Sequence, residues 1–326
     1  YTSSGTTLTR ASVLRSTNSN NAITLAGAAQ VIITPAAEDL LTTETPGGRL
    51  TLTTAVPVMT STVSAATTVY YTPYLHRYVP LYDGTSYAMH DVGGELSQAT
   101  TDSTKSPAAV TTNSNYDLFV WIDGTTYRCT RGPAWSSATA RGTGAGTTEL
   151  ERVKGVWLNK VAITNGPAAN RGTYVGTIRS NGSSQIDFNL GAAAAGGTAA
   201  LIYVVNAYNQ VVAQPVVVDT TATWAYGTAS YRSSNNSAGN RISYIDPLGA
   251  EFIEAQFTQR ATVGATVAAF TGIGVDSTTA LTGTVGFFYD VFDGLQTAFY
   301  HGVPGLGQHY LQALEYASAS ATFYGT

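Results

Sequence analysis

Between residues 83 and 182 the chain carries three turn dipeptides, Asp83-Gly84, Asp123-Gly124 and Asn181-Gly182, each set between runs that favour strands. Asp-Gly and Asn-Gly tolerate the positive φ of a tight hairpin, so alternating runs on either side read as antiparallel strand pairs. Tyr116, Leu118, Val120 and Ile122 alternate along one face before Asp123-Gly124, and Tyr127-Arg128-Cys129-Thr130 returns. Val79–Tyr82 and Tyr87–Met89 flank Asp83-Gly84, while Tyr174–Ser180 and the run bearing Ile186, Phe188 and Leu190 flank Asn181-Gly182. This middle segment therefore reads as an antiparallel β domain, a meander or a barrel.

The surface chemistry points the same way. Only 11% of residues are charged while 44% are hydrophobic, against roughly 25% charge in an average domain. Thr, Ser, Asn and Gly replace the Glu, Lys and Arg that build exposed helical faces, and twenty tyrosines suit a pleated, half-buried surface. Helical patterns are confined to Ala36–Leu41 and Thr148–Lys154. Gln308–Tyr316 alternates as well as it cycles and is read as a strand.

At 326 residues the chain exceeds the size at which one core stops growing, so several units are expected. Residues 1–64 form a short N-terminal β module, with strand patterns at Ala22–Leu25, Val31–Ile33 and Leu50–Thr53. Residues 65–193 form the hairpin-rich domain. The low-complexity run 191–199 bridges to residues 194–326. There, short strands at Leu201–Val205, Val211–Val218, Trp224–Tyr226, Ile242–Ile245, Phe252–Phe257, Val285–Phe292 and Ala298–Tyr300 have the spacing of a β-sandwich or jelly roll.

The chemistry-bearing residues do not converge. A net charge of −4 without a Lys or Arg run excludes the phosphate neutralisation that nucleic-acid binding requires. No apolar stretch approaches the ~20 residues that span a bilayer, so neither membrane insertion nor a secretion signal is expected. The lone cysteine, Cys129, lies in a strand pattern and reads as a small core residue. His76, His90, His301 and His309 have no metal-ligand spacing and read as surface or structurally satisfied residues, with no acid partner close in sequence. The acid pairs Glu149/Glu151, Glu251/Glu254 and Asp290/Asp293 are scattered. The last brackets an expected hairpin turn at Asp293-Gly294. Gly142–Gly146 and Gly272-Ile273-Gly274 lack the context of a phosphate cradle and read as loops. No catalytic, cofactor or metal residue is assigned, so the chain is expected not to be an enzyme. Trp224, Tyr226 and Tyr231 form an aromatic group that could contact a surface or a glycan, since aromatic faces stack on sugar rings and anchor interfaces.

The middle segment also resembles a family of minor structural, tail-fibre-like proteins of tailed double-stranded DNA bacteriophages. The likeness runs through Tyr70-Tyr71-Thr72-Pro73-Tyr74, Val79-Pro80-Leu81-Tyr82-Asp83-Gly84 and the block from Leu96 to Pro107. It continues through Tyr116–Trp121, Thr130-Arg131-Gly132-Pro133-Ala134-Trp135, Asn165-Gly166-Pro167 and Arg171–Ser180, and so covers about residues 68–190. Gly5-Thr6-Thr7-Leu8-Thr9-Arg10 is similar to a short module of phage tail proteins, and Thr322-Phe323-Tyr324-Gly325 is loosely similar to jelly-roll tips. The resemblance implies a virion component, assembled in the host cytoplasm, at a tail fibre or tip or as a head fibre or capsid decoration. It also implies a homotrimer, other virion proteins as partners and a host-surface glycan or receptor as a possible contact. Glycan binding or polysaccharide cleavage is the competing class.

Overall fold

The structure, a computed structural model, describes residues 2–4, 7–9, 45–289 and 292–325. The chain is nearly all β, with several antiparallel sheets, no closed barrel and no α-helix among the described residues. No described helix is long and apolar enough to cross a membrane. Two compact units divide at 41/42. In the first, Thr2–Ser4 pairs antiparallel with Thr7–Thr9. The strand pattern at 22–25, the apolar run at 31–33 and the helical pattern at 36–41 lie outside the described residues.

The second unit, residues 42–326, is continuous across the boundaries expected from composition. Val63–Ala66 spans 64/65 as one strand, and Ala193–Ala194 spans 193/194. Ile186–Asn189 and Ala200–Ile202, on either side of the low-complexity bridge, pair within a single sheet. The bridge is a connection inside one unit.

The hairpin at Asp123-Gly124 forms as expected. Asn115–Asp123 pairs with Thr126–Ala134 in register Thr126↔Asp123 to Arg131↔Leu118, and Gly124 takes φ +65°. Tyr78–Tyr82 pairs with Tyr87–Asp91 around Asp83, whose Oδ1 accepts the Thr85 and Ser86 amides. At Asn181-Gly182 the chain turns, with Asn181 Oδ1 accepting from Ser183 and Gln185, but the hairpin ends after one bridge, Ser180↔Ile186. The physical reason is that Thr173–Arg179 already pairs with Asn115–Asp123 and with Val204–Asn206, so Ile186–Asn189 joins another sheet. The middle is thus neither a sequential meander nor a barrel. Thr148–Lys154, expected to be helical, contains the strand Leu150–Val153.

A buried ionic centre organises this sheet. Asp117, with no exposed surface, accepts Arg141 Nε at 2.7 Å and Arg141 Nη2 at 3.1 Å, and also Thr148 and Thr177 hydroxyls. The Arg141 guanidinium lies 4.2 Å from the Trp135 ring centre and 5.7 Å from that of Tyr174. Burial pulls the Arg141 guanidinium down, and the Asp117 charge and hydrogen bonds outweigh it, so its pKa is held above the ordinary value. Arg131 does similar work for the block 96–107: its side chain donates to the carbonyls of Ala99, Asp102 and Ala108, while its amide donates to Gln98. Cys129 is buried in the core, where burial pushes the thiol up and away from reactivity.

Two sheets of residues 186–325 pack face to face. One has Trp224–Tyr226, Ala321–Tyr324, Ile253–Val263 and Phe292–Gly302 in that order. The other includes Gly286–Tyr289, Ala268–Val275, Gly307–Ala317, Arg241–Asp246 and Ala200–Ile202. Ala261, Val263, Ala321 and Phe323 from the first meet Ala269 and Ala317 from the second, which is a sandwich core. Gln308–Tyr316 lies within a strand, as expected. Asp293-Gly294 does not turn. It lies inside the strand Phe292–Gly302, where Asp293 pairs with Arg260 instead. Gly272-Ile273-Gly274 is strand, not loop. A Cβ on Gly274 would meet the Ser277 and Ala280 carbonyls at 2.5 and 2.7 Å, because residues 277–281 fold directly over it.

Removing one partner of a buried ion pair strands the other charge, at a cost of about 3–5 kcal/mol. Arg141→Ala is therefore expected to lower unfolding stability by about that amount. An unchanged denaturant midpoint would show that the centre contributes nothing.

Candidate functional site

A cleft of about 250 Å³ opens in the two-sheet region. One wall is the extended segment Pro215–Asp219 and the other is the strand stretch Ala255–Gln259, with Tyr324 and Gly325 also in the lining. Ile242, Ile273 and Leu311 of the facing sheet supply an apolar floor.

Polar groups in the cleft are mostly committed. Asp219 Oδ1 accepts the Gly196 and Thr221 amides, and Oδ2 accepts Asn235 and Asn240 side chains. Burial would raise this carboxyl, but the hydrogen bonds led by Asn240 and Thr221 outweigh it and bring the pKa to about 2. Arg241 is held by Gln312 at 3.0 Å and lies 4.0 Å from the Tyr310 ring centre. Gln259 differs. It is 3% exposed, its amide nitrogen donates to Ser234 Oγ at 3.0 Å, and its carbonyl oxygen has no partner.

Of the three aromatics singled out by sequence, only Trp224 lines the cleft. Its ring stacks on Phe323 and its indole N–H donates to Glu315 Oε2 at 2.7 Å. Glu315 is fully buried and also accepts Arg232 Nε at 2.7 Å. Burial raises the Glu315 carboxyl, and the bonds from Trp224 and Arg232 only partly offset this. Tyr226 joins the same group through Arg232, which lies 3.9 Å from its ring centre. Tyr231 belongs elsewhere: it packs on Tyr316, which packs on Phe270. Trp224 meets the buried carboxylate directly and Tyr226 through Arg232, while neither Tyr226 nor Tyr231 lines the cleft.

Several of the other candidates have partners within the fold. His309, 7% exposed, has an acid partner after all: Nδ1 lies 2.6 Å from Asp276 Oδ2 and Nε2 lies 3.1 Å from the Gly305 carbonyl. That partner is 33 residues away, beyond the reach of local spacing. Of the acids, Glu149 pairs with Lys160, Asp293 with Arg260, and Glu251 accepts from Gln210. No group of three or more His, Cys, Asp or Glu suited to a metal occurs among the described residues. Gln259 and Glu315, missed as site residues, each leave a signal. Each is a polar residue on an otherwise mostly apolar face of an alternating run, Gln259 beside Phe257, Ala261 and Val263, and Glu315 beside Leu311, Ala313 and Ala317. No family model, curated protein or solved structure matches the chain.

Two outcomes follow. Asp219 has a depressed carboxyl, so its stabilising share is present above its ordinary value of 3.8 and is lost as pH falls towards about 2. Asp219→Ala should lower the melting temperature at pH 6 and flatten its fall between pH 4 and 2; parallel curves for the two proteins would refute the assignment. Trp224→Phe keeps the stack but leaves a Glu315 oxygen without its donor, at a cost of about 1–3 kcal/mol in chemical denaturation.

Proposed function

We propose that the chain is a structural, non-catalytic component of a bacteriophage virion. It acts as a homotrimeric tail-fibre or tail-tip protein whose two-sheet region faces the host surface. One observation carries this reading. Several residues of the blocks that resemble phage structural proteins hold the fold together. Gln98, Asp102 and Arg131 hold one loop, and Asp117, Trp135 and Tyr174 surround Arg141, with Thr177 donating to Asp117. A likeness that runs through such framework residues is what a family of particle components sharing a scaffold would leave.

The exposed surface supports assembly as well. Phe252, Leu295, Phe299 and Val303 are each at least half exposed, and the last three lie on or just beyond the edge strand Phe292–Gly302. Exposed apolar side chains along an edge suit burial between copies. Glycan binding without catalysis is the second reading, favoured by the place of Trp224 on the cleft.

Gold-labelled antibody against the purified chain should decorate the tail ends of phage particles whose genome encodes it. Labelling of the head would make it a head fibre or decoration protein, and unlabelled particles would remove the virion reading. Light scattering should give three times the 34.0 kDa chain mass. Retention of the chain on host glycan arrays, lost with Trp224→Ala in a still folded protein, would favour the second reading.

A further inference from the structure

The cleft is bordered by a strand that is only half covered. Ile253–Val263 pairs with Phe292–Gly302 along its whole length, from Ile253↔Gly302 to Val263↔Phe292. On its other edge only Arg260–Val263 is paired, with Ala321–Tyr324. No strand among the described residues covers the stretch from Ile253 to Gln259 on that side.

The direction of the uncovered peptide groups follows from the ladder. Phe299 accepts the Thr284 amide at 2.9 Å and donates its own amide to Thr284 Oγ1 at 3.2 Å, so its peptide groups point away from Ile253–Val263. In an antiparallel pair both members of such a position point outwards, and the pattern repeats every second residue. Gln256, opposite Phe299, and Thr258, opposite Thr297, therefore direct their N–H and C=O groups to the free edge. This explains why both residues line the cleft although they alternate with the inward-facing Phe257 and Gln259. On the opposite wall, the Val216 and Val218 amides bond to Leu190 and Ala192, so those of Val217 turn away from that partner. Val217 also lines the cleft.

We infer that the cleft is a strand-acceptor slot, which takes an extended, uncharged segment of a partner polypeptide. The segment lies antiparallel to Ile253–Gln259 and in line with Ala321–Tyr324. The backbone edge selects the occupant's class, because alternating donors and acceptors at strand spacing match another extended chain. Its side-chain chemistry follows from the lining. Ile242, Ile273 and Leu311 favour small apolar residues at alternate positions, and Gln259 offers its unpartnered carbonyl to one donor. The two charged residues in the lining call for no counterion, since Asp219 takes four donors and Arg241 is held by Gln312. A segment of about five residues spans the two acceptor positions.

The slot is tested on the full chain by amide hydrogen exchange, with acetyl-Thr-Val-Thr-Val-Thr-amide as probe. The Gln256 and Thr258 amides should exchange quickly in the free protein and at least tenfold more slowly with saturating peptide. The same peptide N-methylated at every residue should give no protection. Ala313→Leu, which narrows the cleft from the facing sheet, should abolish the effect while other strand amides keep their protection. Thr258→Pro, which removes one slot-facing donor, is the second variant should the first fail to fold. Unchanged exchange with peptide would overturn the inference. So would protection already present in the free protein, which means its own chain fills the slot, or protection that rises with protein concentration alone, which means a second copy does. The result is independent of the virion assignment, because purified chain suffices.

Discussion

The buried pair between Asp117 and Arg141 ties together parts of the chain that no local signal connects. Asp117 sits on the long strand of the central sheet, Arg141 comes from the loop beyond the first hairpin, and Thr177 belongs to the neighbouring strand. With four hydrogen bonds on one carboxylate and an aromatic ring near the guanidinium on two sides, the charges are solvated by the protein itself. A chain with so few charged residues places several of them inside. Asp117, Arg131 and Glu315 are all buried, and each is bonded to other parts of the chain. They fix which loop lies against which sheet, a task that disulfides perform in many secreted β proteins and that a single buried cysteine cannot.

Elements whose reason is local were legible in the sequence. Asp83-Gly84 and Asp123-Gly124 turn where expected because the turn residues and the flanking alternation act within a few residues. Asn181-Gly182 also turns, but its second strand departs. Which strand occupies an edge depends on Val204–Asn206, which arrives from later in the chain. The stretch around Glu149 and Glu151 looked helical from its composition, and pairing with Val156–Asn159 makes it a strand. Gly272-Ile273-Gly274 reads as flexible loop chemistry, whereas the glycines let residues 277–281 lie directly on a strand.

The candidate site was half legible for the same reason. Trp224 stood out as a large aromatic, and it does line the cleft. Its indole N–H is already spent on Glu315, a residue whose position on an apolar face was visible but whose partner, 91 residues away, was not. Val211–Val218 reads as a strand from its β-branched run, yet only its last residue is assigned to one. Most of the run is extended chain whose pairing partner is brief, and that local shortage helps to leave the cleft open.

Edge management completes the picture. Strand edges are commonly blunted by lysine or by charges pointing inwards, and this composition offers few of either. Here side chains and short segments do that work. Asn206 closes the edge of Gly48–Thr51 by accepting the Leu50 amide and donating to its carbonyl. Thr284 does the same for Phe299 with its backbone amide and its hydroxyl. Beside these two closures, the stretch from Ile253 to Gln259 leaves peptide groups open that border an apolar floor. An open edge beside an apolar floor, on a strand whose next residues are already paired with Ala321–Tyr324, suits the addition of another strand.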